Sequence, residues 1–306
     1  MTAYIRYVYI FLFLAFQSSF YGQKVMAISG MEIQTKNDQI KYIDSIAFLC
    51  TDTVYREYMQ GRKINRNEPA KAVLSLLDKK VNLVLKNLSK VPSNKETVMI
   101  WQVYNMGYII QTNKGNIGID IHCRDAKRFA KHMDALLITH AHSDHYSKDL
   151  IDEMKRLHKP IISNWVDNEY KTDTVKTFLV RNFNITTRLG DHYFWKTESN
   201  NDMLMFEIAT NGVKILHTGD NSSLAKLEDS KNIDVFILHH DIIPTLPKAV
   251  ALVQPKQTII SHVMELAHHR YANGYRWTYS HAMEKQKLIP NENSIIPFWG
   301  EVVRLK

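Results

Sequence analysis

A chain of 306 residues, 45% hydrophobic and 23% charged, has the composition of a globular protein with a sizeable core; it suits one large domain, or one domain with an extension. The formal net charge of +8 gives a weakly basic surface able to attract anions. Lys and Arg are nevertheless scattered along the sequence, with no basic run interleaved with aromatics, which argues against a nucleic-acid partner. The two cysteines, Cys50 and Cys123, have no metal-binding spacing; a disulfide between them is not decided by the sequence.

In chain order, Met1–Gln23 has the pattern of an export signal. Arg6 precedes the apolar run Tyr7–Phe16, which is ten residues long. A membrane-spanning helix needs about 20, so a cleaved signal is expected and a permanent span is not. The expected location is periplasmic or secreted. The extension, residues 24–95, is expected to be helical. Ala70–Leu88 places Val73, Leu77, Val81, Val84, Leu85 and Leu88 at helical spacing. Asn67 and Pro69 are candidate start signals. Ile43–Tyr58 is a second candidate helix. This region carries no site chemistry, and its expected role is to pack over the domain that follows, residues 96–306.

That domain opens with strands. Val98–Tyr104 and Tyr108–Gln111 are rich in β-branched and aromatic residues, Asn113-Lys114-Gly115 supplies a turn, and Ile117–Asp120 brings Asp120 to a strand end. Lys148–His158 reads as a helix, Pro160–Ser163 and Asn184–Leu189 as strands. Met203–Ile208 and Val213–Leu216 flank Asn211-Gly212, a strong hairpin signal. Asp234–Leu238 is a buried strand, Leu246–Val253 a helix, and Thr258–Ile260 a strand leading to His262.

The chain is organised around Thr139-His140-Ala141-His142-Ser143-Asp144-His145, which follows the apolar run Ala135–Ile138. It reads H-x-H-x-D-H. Residues two apart on extended backbone point the same way, so His140 and His142 share a side. Asp144 and His145 are adjacent and diverge, which suits two neighbouring ions better than one. Imidazole and carboxylate are good zinc ligands.

With this motif the chain resembles the metallo-β-lactamase-fold hydrolase superfamily, from about Val98 to Leu305. The rest of that pattern follows in order: Asp120 ending an early strand, Gly219-Asp220 in Leu-His-Thr-Gly-Asp, and His262 closing a strand after Pro255-Lys256. The Leu-His-Thr-Gly-Asp version most resembles the branch related to ascorbate-6-phosphate lactonase. The resemblance implies an α/β fold, a four-layer αββα sandwich, here carrying an N-terminal helical extension. It places His140 and His142 on one metal site and Asp144, His145 and His262 on a second, with Asp220 bridging. It also calls for a third histidine on the first site. Only His158 and His192 lie between His145 and His217; His192 is the better placed, with Glu198 as a substitute. Asp120 and His217 are expected behind the ligands, since metal-bound histidines commonly donate their other N–H to a carboxylate.

The function this implies is that of an exported hydrolase holding two zinc ions or another divalent pair. It would use a metal-activated hydroxide on a lactone, a phosphodiester or a related ester, with Asp144 or Asp220 handling the proton. The expected partner is a small molecule. His240, Tyr271, Arg276 and Trp277 are candidates for contacting it, and an aromatic and basic loop there would suit an anion. The alternatives are a non-catalytic metal-binding or partner-binding domain, or a β-lactam hydrolase.

Overall fold

Strand β1 (Val98–Tyr104) is buried along its whole length, as a strand between two packed layers must be. Its side chains alternate: Val98 and Ile100 enter one core, Met99, Trp101 and Val103 another. The computed structural model describes residues 36–65, 68–192, 203–241, 246–267, 278–289 and 293–305. Around β1 it builds a mixed sheet with β2 (Gly107–Thr112), β3 (Gly115–Ile119), β4 (Ala135–Leu137), β5 (Ile161–Ile162) and β13 (Val302–Leu305), in the order β13-β1-β2-β3-β4-β5. A second sheet runs β12-β11-β10-β9-β8-β7-β6. It comprises β6 (Thr177–Val180), β7 (Phe183–Gly190), β8 (Met203–Thr210), β9 (Val213–His217), β10 (Val235–His239), β11 (Gln257–Ser261) and β12 (Ser294–Ile295).

The sheets enclose one core, in which Ile100, Tyr108 and Ile110 of the first join Phe206, Ile208, Ile215, Ile237 and Ile259 of the second. The opposite faces are covered by helices. Helix α3 (Lys71–Leu88) buries Val73, Leu77, Val81 and Val84 in the cluster that holds Met99, Trp101 and Val103. Each such side chain contributes about 1.5–3 kcal/mol by leaving water. Helix α4 (Lys148–Arg156) buries Leu150, Ile151 and Met154 on the same side. Helix α5 (Leu246–Val253) does the same for the second sheet, whose β10 turns Phe236 and Leu238 outward. This is the expected four-layer arrangement.

The extension departs from expectation in detail. The single helix expected over Ile43–Tyr58 is two, α1 (Lys36–Ile46) and α2 (Asp52–Met59). The break falls where Thr51 Oγ1 accepts the N–H of Val54 at 3.3 Å; this cap starts a new helix rather than continuing the old one. Asn67 lies outside the described residues, and α3 starts one residue after its expected position. The extension is tied down by polar contacts as well as packing. Tyr58 Oη donates to Asp78 at 2.5 Å. Asp44 accepts the backbone N–H groups of Tyr279 and Ser280 at 2.9 and 2.8 Å, at the start of α6 (Tyr279–Gln286). Strands β6, β12 and β13 were not expected. β13 pairs antiparallel with β1, Val98 opposite Leu305, a pairing of the chain's far end. Cys50 and Cys123 are both buried and are not joined to each other by a disulfide; burial pushes the Cys123 thiol up, so it behaves as a small apolar side chain. Among the described residues no helix is long and apolar enough to cross a membrane. The segment Met1–Gln23 lies outside them.

Candidate metal centre

Strands β3 and β4 are parallel, as are β9, β10 and β11. Parallel strands deliver their C-terminal ends to one edge, where α/β folds bind ligands. Asp120 follows β3, the Thr139–His145 loop follows β4, Gly219-Asp220 follows β9, His239 ends β10, and His262 follows β11. Asn105, Asp120, Gly219 and His262 take left-handed backbone, with φ of 51°, 47°, 51° and 59°. Such conformations outside glycine are sparsely populated and cluster where function over-determines the backbone. At Gly219 the reason is visible: an added Cβ would lie 2.8 Å from Thr139 Cβ.

The structure gathers every expected ligand it describes. One set is His140, His142 and His192; a second is Asp144, His145 and His262; a third, His140, His145 and Asp220, links them. Asp220 Oδ2 lies 3.3 Å from His145 Nε2, 3.7 Å from His262 Nε2, and 3.9 Å from both His140 Nε2 and His192 Nε2. One carboxylate oxygen therefore faces four imidazole nitrogens drawn from both sets. Asp144 Oδ2 lies 3.2 Å from His262 Nε2 and 3.4 Å from His145 Nε2. His192 Nε2 is 3.2 Å from His142 Nδ1, which puts His192 beside the first pair. Glu198 lies outside the described residues. His142 is exposed while the others are buried, so the cluster opens to solvent on its side.

Asp120 stands behind this cluster. Its carboxylate accepts the backbone N–H and hydroxyl of Thr139, each at 2.8 Å, and Nδ1–H of His145 at 2.9 Å. His217 is also behind it. Its Nε2 donates to the Met106 carbonyl at 3.0 Å and its Nδ1 accepts the Gly219 N–H at 3.2 Å, which fixes the turn that carries Asp220.

The donor chemistry fits a metal. His140 Nε2, His145 Nε2 and Asp220 Oδ1 are buried with no hydrogen-bond partner, an expensive state unless a ligand completes it. Burial and then the neighbouring His145 hold His140 far below the usual imidazole range, so it is neutral. Burial disfavours a charged Asp220 or Asp144, but His145 and His262 outweigh it and hold both carboxylates well below their ordinary range. Burial likewise opposes charge on His145, yet Asp220, Asp144 and Asp120 raise it well above the ordinary value. Neutral His140 and the ionised carboxylates are ligand-ready forms, and a metal would displace the extra proton that the three carboxylates hold on His145.

Three neighbours were not expected. His239 is buried, stacks on His262 with ring centroids 4.0 Å apart, and forms a further donor set with Asp220 and His262. Asn105 Nδ2 donates to Asp144 Oδ2 at 3.0 Å. His122 is buried with Nδ1 donating to the Tyr146 carbonyl at 2.9 Å, beside Tyr104 and Tyr55 of the extension. His240 is buried as well. It is 1% exposed, its Nδ1 donates to the Ser261 carbonyl at 3.0 Å, and its ring stacks on that of His239 with centroids 5.4 Å apart, so it does not meet solvent. Tyr271, Arg276 and Trp277 lie outside the described residues.

Comparison with known proteins agrees with this geometry. The profile of the family described as "Beta-lactamase superfamily domain" matches residues 93–257, more than half of the chain. It does not single out the ascorbate-6-phosphate lactonase branch. No curated protein matches. Among solved structures, the metallo-β-lactamase fold protein YhfI from Bacillus subtilis is 14% identical with a TM-score of 0.51, over 68% of this chain and 99% of that one. A protein from Parabacteroides distasonis is 14% identical with a TM-score of 0.51, over 66% of this chain and 93% of that one. At such identities the likeness is one of fold. With the sheet order, the gathered histidines and aspartates, and the family match over more than half its length, the chain belongs to the metallo-β-lactamase-fold family of metal-dependent hydrolases.

Proposed function

We propose that this chain is a two-metal hydrolase, loaded with zinc, that cleaves a lactone, a phosphodiester or a related ester. The observation that carries the reading is the position of Asp220 Oδ2 among four imidazole nitrogens of two donor sets. A carboxylate can span two cations, whereas an imidazole offers one lone pair. His140, His142 and His192 would hold one ion, Asp144, His145 and His262 the other, with Asp220 between them. When bound, such a pair supplies Lewis acidity toward a carbonyl or phosphoryl oxygen and acidifies the attacking water to near neutral pH.

The chain's own residues do the rest. Asp120 orients His145 so that Nε2 faces Asp144 and Asp220. His217 fixes the Gly219 turn. Asp144 and Asp220 are the carboxylates of the donor sets, so the proton from water passes to one of them. Exposed His142 marks the substrate's approach, and the sequence of residues 268–277, with Tyr271, Arg276 and Trp277, supplies groups suited to an anionic substrate.

The test is metal analysis joined to a panel of chromogenic lactones, phosphodiesters and carboxylic esters. Two ions per chain and turnover of at least one class are expected. Two ions with no turnover of any class would contradict the hydrolase reading and favour a binding domain. We also propose that the protein is exported, on the pattern of Met1–Gln23 alone. Protein recovered from the cell envelope is then expected to begin near Gln23 or Lys24. Intact mass retaining Met1 in the soluble cytosolic fraction would refute this.

A further inference from the structure

The basic residues that look scattered in the sequence are not all scattered in space. A cleft of about 710 Å³ lies on the outer side of the first sheet, between α3 of the extension and the 3₁₀ segment Ala126–His132. Lys86 stands on the extension's wall, and Lys127, Arg128 and Lys131 on the facing wall, with Leu85 giving an apolar surface. None of its residues belongs to the metal donor sets. We propose that this cleft is a second binding site, for a small phosphate-bearing anion.

Four features support it. The volume falls within the roughly 300–1,000 Å³ typical of small-molecule sites. Among the described residues, Lys86, Lys127, Arg128 and Lys131 form no ion pair. The one acid on the wall, Glu153, is taken by a forked pair of bonds from Arg156 at 2.8 and 2.6 Å. Its charge is therefore shared with Arg156, which lies outside the cleft lining, while Lys127 also acts on it. Surface lysines usually swing apart into water, but Arg128 is held in place: Nη1 donates to Asn82 Oδ1 at 2.8 Å and Nε to the Asp125 carbonyl at 3.4 Å.

The ligand class follows from the donors. A guanidinium fork and flexible ammonium groups on two walls suit tetrahedral oxyanions, which accept from several directions. The flank of Leu85 would contact the organic part. The extension is then half of a binding site as well as a cover for the first sheet. A concave site between two elements favours a soluble molecule over a flat lipid surface.

The probe is pyrophosphate, titrated calorimetrically into the metal-loaded full chain. The wild type is compared with the double variant Lys127→Glu/Lys131→Glu, and separately with Lys86→Glu on the opposite wall. Neither variant touches the metal centre, and metal content is expected to be unchanged in both. Affinity should fall by about tenfold or more in each, as loss of charge-assisted bonds implies. Should the double variant lose folding stability, Lys86→Glu alone decides. Equal binding in wild type and variants would place pyrophosphate at the metal centre and overturn the proposal. So would no binding by the wild type. Vesicles of phosphatidylglycerol in phosphatidylcholine form the second arm: sedimentation with them in the absence of pyrophosphate binding would overturn the soluble-ligand site in favour of a membrane contact.

Discussion

His145 donates its Nδ1 proton to Asp120 across 2.9 Å, and both side chains are completely buried. A carboxylate can only accept here, so the bond sets the tautomer of His145 and leaves Nε2 facing Asp144 and Asp220. The same carboxylate takes two bonds from Thr139, the residue that starts the central motif. One acid at the end of β3 thus positions both a ligand and the loop that carries three others.

Asp120→Asn tests that arrangement. Asn tolerates the left-handed backbone at this position, so the fold should survive. Its amide nitrogen, however, must face one of three donors. Loss of such a partner typically weakens metal affinity by about 10–100-fold. Competition of wild type and variant for zinc against a chromophoric chelator measures the change; unaltered affinity would remove Asp120 from the account.

Gly219→Ala should damage the centre through the backbone. Gly219 has φ +51°, and the new Cβ would meet Thr139 Cβ and Cγ2 and Met203 Cε at 2.8 Å. A cost of about 1–3 kcal/mol is expected in denaturant unfolding, together with reduced metal content because Asp220 is the next residue. Full stability in the variant would mean the turn relaxes freely.

Asp234 gives a pH dependence away from the metal. It joins the start of β10 to β9 by accepting the Lys214 N–H at 2.7 Å, and it pairs with Lys256 at 2.7 Å. Burial pushes its carboxyl up, but Lys256 and the Lys214 N–H outweigh that and hold it below the ordinary value. A depressed folded pKa contributes stability above the unfolded pKa of about 4, and that contribution fades as pH falls. The stability gap between wild type and Asp234→Asn should therefore be present near pH 6 and narrow as pH falls below about 4, at about 1 kcal/mol or less for so exposed a pair. A gap that does not narrow as pH falls would contradict the assignment.

Much of the centre was legible because its ligands are local or end apolar β runs. His140, His142, Asp144 and His145 share one loop, and Asp120, Asp220 and His262 each close a strand-like segment. His239 closes such a segment too, yet only its stacking on His262 places it at the centre. Asn105 reads as a turn residue; its bond to Asp144 spans 39 positions. β13 was missed because four residues without strong alternation owe their strand to pairing with β1 at the other end of the domain. The basic cleft was invisible for the same reason, since α3 and the 126–132 segment meet only in the folded chain. The break between α1 and α2 was readable in Thr51-Asp52, a helix-start signal that lay inside the span expected to be one helix.

The most direct test of the central claim is the metal stoichiometry of Asp220→Asn, measured with its pH–rate profile. The substitution keeps the shape but removes the negative charge and one metal-binding oxygen. If Asp220 Oδ2 joins the two donor sets, the variant should hold fewer than two ions per chain, and its residual activity should shift along the pH axis. A turn acid of purely structural role would change stability by only about 1 kcal/mol. Two ions retained at wild-type affinity, with an unshifted profile, would show that Asp220 does not bridge and would contradict the two-metal account.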